Sequence, residues 1–285
     1  MSFDAAAHRD RSLQSWEEAA PGWVRRQELL RELGAPVSHW MVDALLLQPG
    51  QRVLELAGGL GETGMLAAEL VAPMGGVIIS DQAEAMLEGA RARAVALGLS
   101  NVEFQVLNAE WIDLPVASVD AAICRWGYML MADPAAALGE TRRVLRPGGR
   151  LALAVWDTIA RNPWAQLPAQ ELIERGLAPA PGDGTPLPGP FALAGPGAVE
   201  ELIAQAGFGE IHLQGLEVSR RHQSFEGLWE STLDLSRSFH DTVLDRPESE
   251  VAEIKNALAA RFAPYTKPDG ALEVPGRTLV AVATA

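Results

Sequence analysis

Apolar residues fall into two rhythms along this 285-residue chain. Short, nearly unbroken runs occupy 53–56 (VLEL), 76–81 (GVIISD), 102–108 (VEFQVLN), 119–126 (VDAAICRW) and 150–156 (RLALAVW). Because they are continuous rather than alternating, they predict strands covered on both faces. Between the first three lie segments with helical spacing, 63–72 and 82–97. In the second, Ala83, Met86, Leu87, Ala90, Ala94 and Leu97 recur at threes and fours before Gly98 stops the pattern. A further helix is predicted over 134–145, turned by RPGG at 146–149, whereas the link at 111–118 is too brief for a full helix. This alternation predicts an α/β fold with right-handed crossovers and a doubly wound sheet.

The flanking segments carry a different pattern. Residues 8–47 place Trp16, Trp23, Leu29, Leu30, Leu33, Trp40, Met41 and Leu45 at broadly helical spacing. Most of these read as packing against the sheet, with Trp16, Trp23 and Arg26 the better choices to face a cleft. Residues 178–197 hold six Pro and five Gly, too many for regular structure, and predict a loop or lid edge. A helix over 198–207, a sixth strand over 210–219, helical structure over 225–265 and a closing strand over 276–285 follow. The expected organisation is an N-terminal helical cap (1–48) and one domain (49–285) with insertions at 158–197 and 225–272.

Chemistry concentrates at 52–64, RVLELAGGLGETG, a strand, a glycine-rich turn and the start of a helix. That is the first half of a nucleotide-binding βαβ unit. Gly59, Gly61 and Gly64 match the dinucleotide fingerprint, with Asp81 at a suitable interval for a ribose. Glu55, Ala57, Gly59 and Gly61 equally match the acid–x–small–x–Gly–x–Gly signature of S-adenosylmethionine (SAM) sites. A pyrophosphate on the turn would lie near the Glu55 carboxylate, an unfavourable pairing. The ammonium and sulfonium of SAM make the same carboxylate favourable, so charge favours SAM over NAD. Asp81, ending the second strand, can take both ribose hydroxyls or cap the next helix. Met86 fits an adenine face or ordinary core.

Several stretches together resemble class I SAM-dependent methyltransferases, nearest to the type 11 and quinone C-methyltransferase small-molecule group: VLELAGGLGETG, IISDQAEAMLEGAR, VLNAEWIDLP, SVDAAICRWGYMLMADPAAALGETRRVLRPGGRLALAVW and TLVAVATA. The resemblance is good over about 50–157 and weaker at either end. It implies a Rossmann-like seven-stranded sheet with an antiparallel last strand and helical cap insertions. It also implies Glu55 near the methionine end, Asp81 on the ribose, Asn108 and Ala109 at the adenine, and Arg125 beside the methionine through its backbone. With the turn and its neighbours, the expected cofactor-binding set is Glu55, Ala57, Gly58, Gly59, Gly61, Asp81, Gln82, Met86, Asn108, Ala109, Glu110 and Arg125. Ala57 stands where Gly is usual and should be tolerated. Asn108 stands where Asp is common, and its amide carbonyl can still accept from an adenine amino group.

A net charge of −14 argues against nucleic-acid substrates, which require a basic face. The N-terminus lacks the basic start and apolar stretch of a signal peptide, and no apolar run approaches a membrane span, so a cytoplasmic enzyme without membrane partners is expected. The single cysteine, Cys124, lies in the fourth strand and reads as a core thiol. The five histidines show no metal-ligand spacing, so no metal is expected. No catalytic residue stands out; His39, Tyr128 and His240 are the candidates for a general base. The expected function is methyl transfer from SAM, with S-adenosylhomocysteine as product, to a small aromatic or apolar molecule at oxygen, carbon or nitrogen. An NAD(P)-binding oxidoreductase and a non-catalytic SAM-binding regulator are the alternatives.

Overall fold

Strand β1 (Arg52–Glu55) lies between two parallel neighbours, β2 (Gly76–Asp81) and β4 (Val119–Arg125), in a computed structural model that describes residues 3–179 and 188–285. The chain steps outward from β1 through β2 to β3 (Val102–Val106), then returns to the other side of β1 at β4. The strand order is β3-β2-β1-β4-β5-β7-β6, so the direction of winding reverses between β1 and β4. A crevice opens at such a reversal, at the carboxyl ends of the strands. Strand β5 (Leu145–Trp156) is parallel to β4, and β7 (Leu272–Thr284) runs antiparallel between β5 and β6 (Gly209–His222).

The central strands are buried on both faces, as their unbroken apolar runs require. Leu54, Ile79, Ile123 and Leu153 are all essentially inaccessible, each contributing about 1.5–3 kcal/mol by burial. Helices α3 (Glu62–Val71), α4 (Glu84–Leu97), α5 (Pro134–Val144) and α7 (Ala198–Gln205) form the crossovers. Helix α5 starts where its sequence directs: Pro134 sits in the first turn and the Asp133 carboxylate accepts from the Ala136 amide at 2.9 Å. At the N-terminus α1 (Ala5–Arg25) and α2 (Gln27–Leu45) divide the predicted 8–47 helical segment at Arg26.

A second apolar cluster lies beyond the edge of the sheet. There α6 (Pro163–Glu174), α8 (Phe225–Leu235), α9 (Arg237–Leu244) and α10 (Glu248–Phe262) pack Leu172, Trp229, Val243, Ile254 and Phe262 against Leu272 and Val274 of β7. Among the described residues no helix is long and apolar enough to cross a membrane.

Three boundaries differ from the sequence reading. Helix α4 begins at Glu84 rather than 82, because Asp81 holds the intervening backbone. Strand β5 begins at Leu145 and takes RPGG in as a bulge, its pairing jumping from Val119↔Leu145 to Ala121↔Arg150. Strands β6 and β7 run beyond the predicted 210–219 and 276–285 and continue as a two-stranded antiparallel ladder past the rest of the sheet. Part of the predicted 178–197 loop, residues 180–187, lies outside the described residues.

Candidate active site

The turn after β1 is tied to the strands on either side. Leu56 N–H donates to the Ile123 carbonyl and Gly58 N–H to the Ser80 carbonyl, both at 2.8 Å. Gly59 and Gly61 have φ of 54° and 75°, in the left-handed region that a side chain disfavours. Ala57 shares that region at φ 49°. This corrects the sequence reading: alanine here is under strain rather than relieved of a demand. Asp81 accepts from Gly59 N–H at 2.9 Å through one oxygen and from Ala83 N–H at 3.0 Å through the other. It therefore fixes both the turn and the entry to α4, and each oxygen retains a lone pair.

Glu55 lies beneath this turn. Burial pushes its carboxyl up to about 8, against the pull of Arg125, and its Oε2 is buried with no hydrogen-bond partner. A side chain at Gly64 would collide with that carboxyl, so α3 approaches it closely only as glycine. Glu62, in the first turn of α3, pairs with Arg125 at 2.5 Å and with Arg93 at 3.1 Å. The Arg125 side chain is thus committed to Glu62 and crosses close beneath Gly34 of α2.

The remaining predicted positions separate into two kinds. Gln82, Met86, Asn108 and Ala109 line the same cavity as Glu55, Ala57, Gly58, Gly59 and Asp81, while Met86 is also packed in a small core with Leu60 and Ala83. Gly61 packs against Ile79 and Met65 at the start of α3. The Asn108 carbonyl oxygen Oδ1 accepts from Glu110 N–H at 2.9 Å, which leaves its amide NH₂ without an assigned task. Glu110 borders the cavity with both oxygens engaged, one by Arg9 and one by Ala132 N–H at 3.0 Å. It holds α1 to the segment after β4 instead of presenting a free carboxylate.

The cavity, of about 720 Å³, extends from the glycine turn past Arg125 to an aromatic wall. Trp126 and Trp156, at the ends of β4 and β5, stack at 4.4 Å; Trp164 follows at 4.9 Å and Phe191 at 6.1 Å. Trp126 is held at φ 60°, unusual for a bulky residue, with its indole N–H on Thr278 Oγ1 at 3.0 Å. Trp16 and Trp23 of α1 and Phe239 of α9 line the opposite side. Arg26 does not; it pairs with Asp234 and Glu230 of α8.

At the far end Arg220 of β6 lays its guanidinium over Trp164, 3.8 Å from the ring centroid. Burial pushes it down to about 9, and its Nε is buried without a partner. The aromatic wall and Arg220 were missed in the sequence. A signal existed for the tryptophans, since the carboxyl ends of strands are where such a fold binds ligands.

None of the three base candidates borders this cavity. Tyr128 is fully buried, its hydroxyl 2.7 Å from Thr141 Oγ1, and burial raises it well above the ordinary phenol range. His39 is exposed on α2, and His240 faces Asp241 at 3.1 Å. Among the described residues no three His, Cys, Asp or Glu side chains gather as metal ligands. Cys124 is buried, and burial pushes its thiol up to about 12, in keeping with a core position.

Residues 47–175, which contain the turn, Asp81, Asn108 and Arg125, match the family model described as a methyltransferase domain. Over this stretch the chain is similar to methyltransferase domains. The chain is 37% identical over 148 residues to an uncharacterized 37.1 kDa protein in transposon TN4556 of Streptomyces fradiae, covering 50% of this chain and 42% of that one. It is 37% identical over 114 residues to the ubiquinone/menaquinone biosynthesis C-methyltransferase UbiE of Hahella chejuensis, covering 40% of this chain and 46% of that one. The chain spans about half the length of the curated relatives it matches. A solved structure of the [4+2]-cyclase SpnF covers 94% of this chain and 95% of its own at 18% identity and a TM-score of 0.54, a likeness of fold.

Proposed function

We propose that this protein transfers the methyl group of SAM to a small, largely aromatic or apolar acceptor. The observation that carries the reading is one cavity with two chemically distinct ends. At one end the glycine turn, Asp81 and the buried Glu55 converge; at the other stand Trp126, Trp156 and Trp164. The first end fits SAM. The free lone pairs of Asp81 suit a ribose diol, and the orphaned Glu55 Oε2 suits a neighbouring cation.

When bound, SAM supplies a methyl group already activated on a sulfonium. The chain's own contribution is then placement and the exclusion of water. The tryptophan wall orients a flat acceptor, and the surrounding α1, α6 and α9 keep the cleft apolar. His39, Tyr128 and His240 lie off the cavity, and so the proposal assigns no general base from among them.

Calorimetry with SAM, S-adenosylhomocysteine and NAD tests the cofactor. Micromolar binding of the first two and none of the third is expected, and Asp81→Asn should weaken SAM by about 1–3 kcal/mol. Binding of NAD alone would overturn the reading in favour of an oxidoreductase. Incubation with phenols, quinones and amines should release S-adenosylhomocysteine and leave a product heavier by one methylene. Tight SAM binding with no acceptor across a broad cell extract would instead point to a regulator.

A further inference from the structure

We propose that the acceptor carries a carboxylate, or an equivalent planar anionic group, that Arg220 binds at the end of the cavity farthest from the glycine turn. The inference rests on the methyl-transfer reading for the word acceptor, but the anion site itself does not depend on it. Arg220 lies near the outer end of the β6–β7 ladder, paired with Val274 where the two strands have outrun the rest of the sheet. Four strand positions separate β6 from β1 in the order β1-β4-β5-β7-β6, about 19 Å at the usual strand spacing.

The neighbouring arginines of β6 and β7 are neutralised: Arg221 by Glu273 at 3.3 Å and Arg277 by Asp157 at 3.4 Å. Arg220 alone of these three faces the cavity, and among the described residues no Asp or Glu carboxylate reaches ion-pair distance of it. Among the described residues its guanidinium rests on the face of Trp164. A cation–π contact steadies a guanidinium and leaves its in-plane N–H donors unsatisfied. Burying a charge with donors unspent is costly, and a planar bidentate acceptor is the group that repays it best. The local field is positive enough to register next door. Burial first, then the charges of Arg220 and Arg26, push the buried His222 down to about 4. Arg220 and the Trp156–Trp164 wall together therefore describe a flat aromatic body with an anionic end.

The test uses matched probes, 2-naphthoate and 2-naphthamide, titrated into the full chain with and without S-adenosylhomocysteine, followed by tryptophan fluorescence and calorimetry. Wild type should bind the naphthoate about tenfold to a hundredfold more tightly than the amide, the scale of a charged hydrogen-bonded contact. Arg220→Gln should abolish that preference while the affinity for S-adenosylhomocysteine stays within twofold; Arg220→Lys should restore part of it. Should Arg220→Gln fail to fold, the wild-type comparison and the lysine variant still decide. Equal affinity for the two probes, or no naphthoate binding at millimolar concentration, overturns the proposal. Parallel loss of S-adenosylhomocysteine in Arg220→Gln also overturns it, by assigning the arginine to the methionyl carboxylate. A wild type that prefers the naphthoate but binds neither SAM nor S-adenosylhomocysteine would leave the anion site standing and remove the methyl-transfer reading.

Discussion

Two residues of the glycine turn hold tensions that a ligand-free protein has to bear. Ala57 occupies left-handed backbone, and its Cβ lies 2.7 Å from where a side chain at Gly127 would begin, so neither position has slack. Relief of about 1–2 kcal/mol of strain, less the greater freedom of glycine in the unfolded chain, predicts that Ala57→Gly stabilises the protein by about 0.5–1 kcal/mol. Urea unfolding at equilibrium measures this, and a destabilised glycine variant would contradict the strain. Glu55 is the second case. Its folded carboxyl titrates near 8, above the ordinary value of 4.5 that the unfolded chain retains, so between those two values the folded state holds the extra proton. Stability is then fullest below about pH 4.5 and declines as pH rises toward 8, by at most about 1.4 kcal/mol per pH unit. Asp81, also raised by burial, acts in the same direction. Glu55→Gln should flatten the decline in melting temperature between pH 5 and 8, and an unaltered slope would show that Glu55 is ionised in the folded protein.

Helix α4 shows why some element boundaries were legible in the sequence and others were not. Its body was readable from spacing, and its end from Gly98 at φ 69°. Its start was not, because Ala83 at the cap position has no capping side chain; the cap comes from α1, where Glu17 accepts from the amides of Glu84 at 2.7 Å and Ala85 at 3.1 Å. A partner 67 positions away in the chain leaves no local signature. The same holds for the far ends of β6 and β7. Inside the sheet both faces are covered and apolar runs result, but the outer ends of β6 and β7 pair mainly with each other, and Arg220, Arg221 and His222 break the pattern that predicts a strand. The long-range cap is testable. Glu17→Ala should cost about 0.5–2 kcal/mol, the range for a lost helix cap, and should raise hydrogen exchange at the Glu84 and Ala85 amides ahead of the rest of α4. Unchanged exchange there would mean that α4 does not depend on α1 for its first turn.

At the scale of the molecule, the parallel half of the sheet and its glycine turn could be read from the sequence because they are built from contiguous βα units. The aromatic end of the cavity could not, since its walls come from α1, the ends of β4 and β5, α6, α9 and β6, segments that meet only in three dimensions. Trp16 and Trp23 of α1 line the cavity, whereas Trp40 packs against the core of the sheet and Trp229 in the outer core. What closes this assembly over the cleft is a small ionic latch. Asp234 of α8 accepts from Arg25 at 2.5 Å and from Arg26 at 2.6 Å, at the end of α1. Burial alone would raise the Asp234 carboxyl; the two arginines outweigh it and hold the group below the usual carboxylate range. Gly22 of α1 lies so close to the Asp234 backbone that any side chain there would collide with it, and the contact is therefore tight as well as charged. On the proposed reading, a nucleoside held by Asp81 lies beside α1, whose Ser12 and Trp16 line the same cavity, and it leaves past this latch. Asp234→Ala should lower the opening cost by about 1 kcal/mol, speeding S-adenosylhomocysteine release about fivefold with little change in its association rate. Stopped-flow tryptophan fluorescence gives both rates. High salt should reproduce part of the acceleration in wild type and add nothing in the variant, because it screens the same partly exposed pair. If release is equally fast in both proteins at low salt, α1 and α8 do not gate the cofactor end, and exchange must run through the side of the cavity lined by α6 and β6.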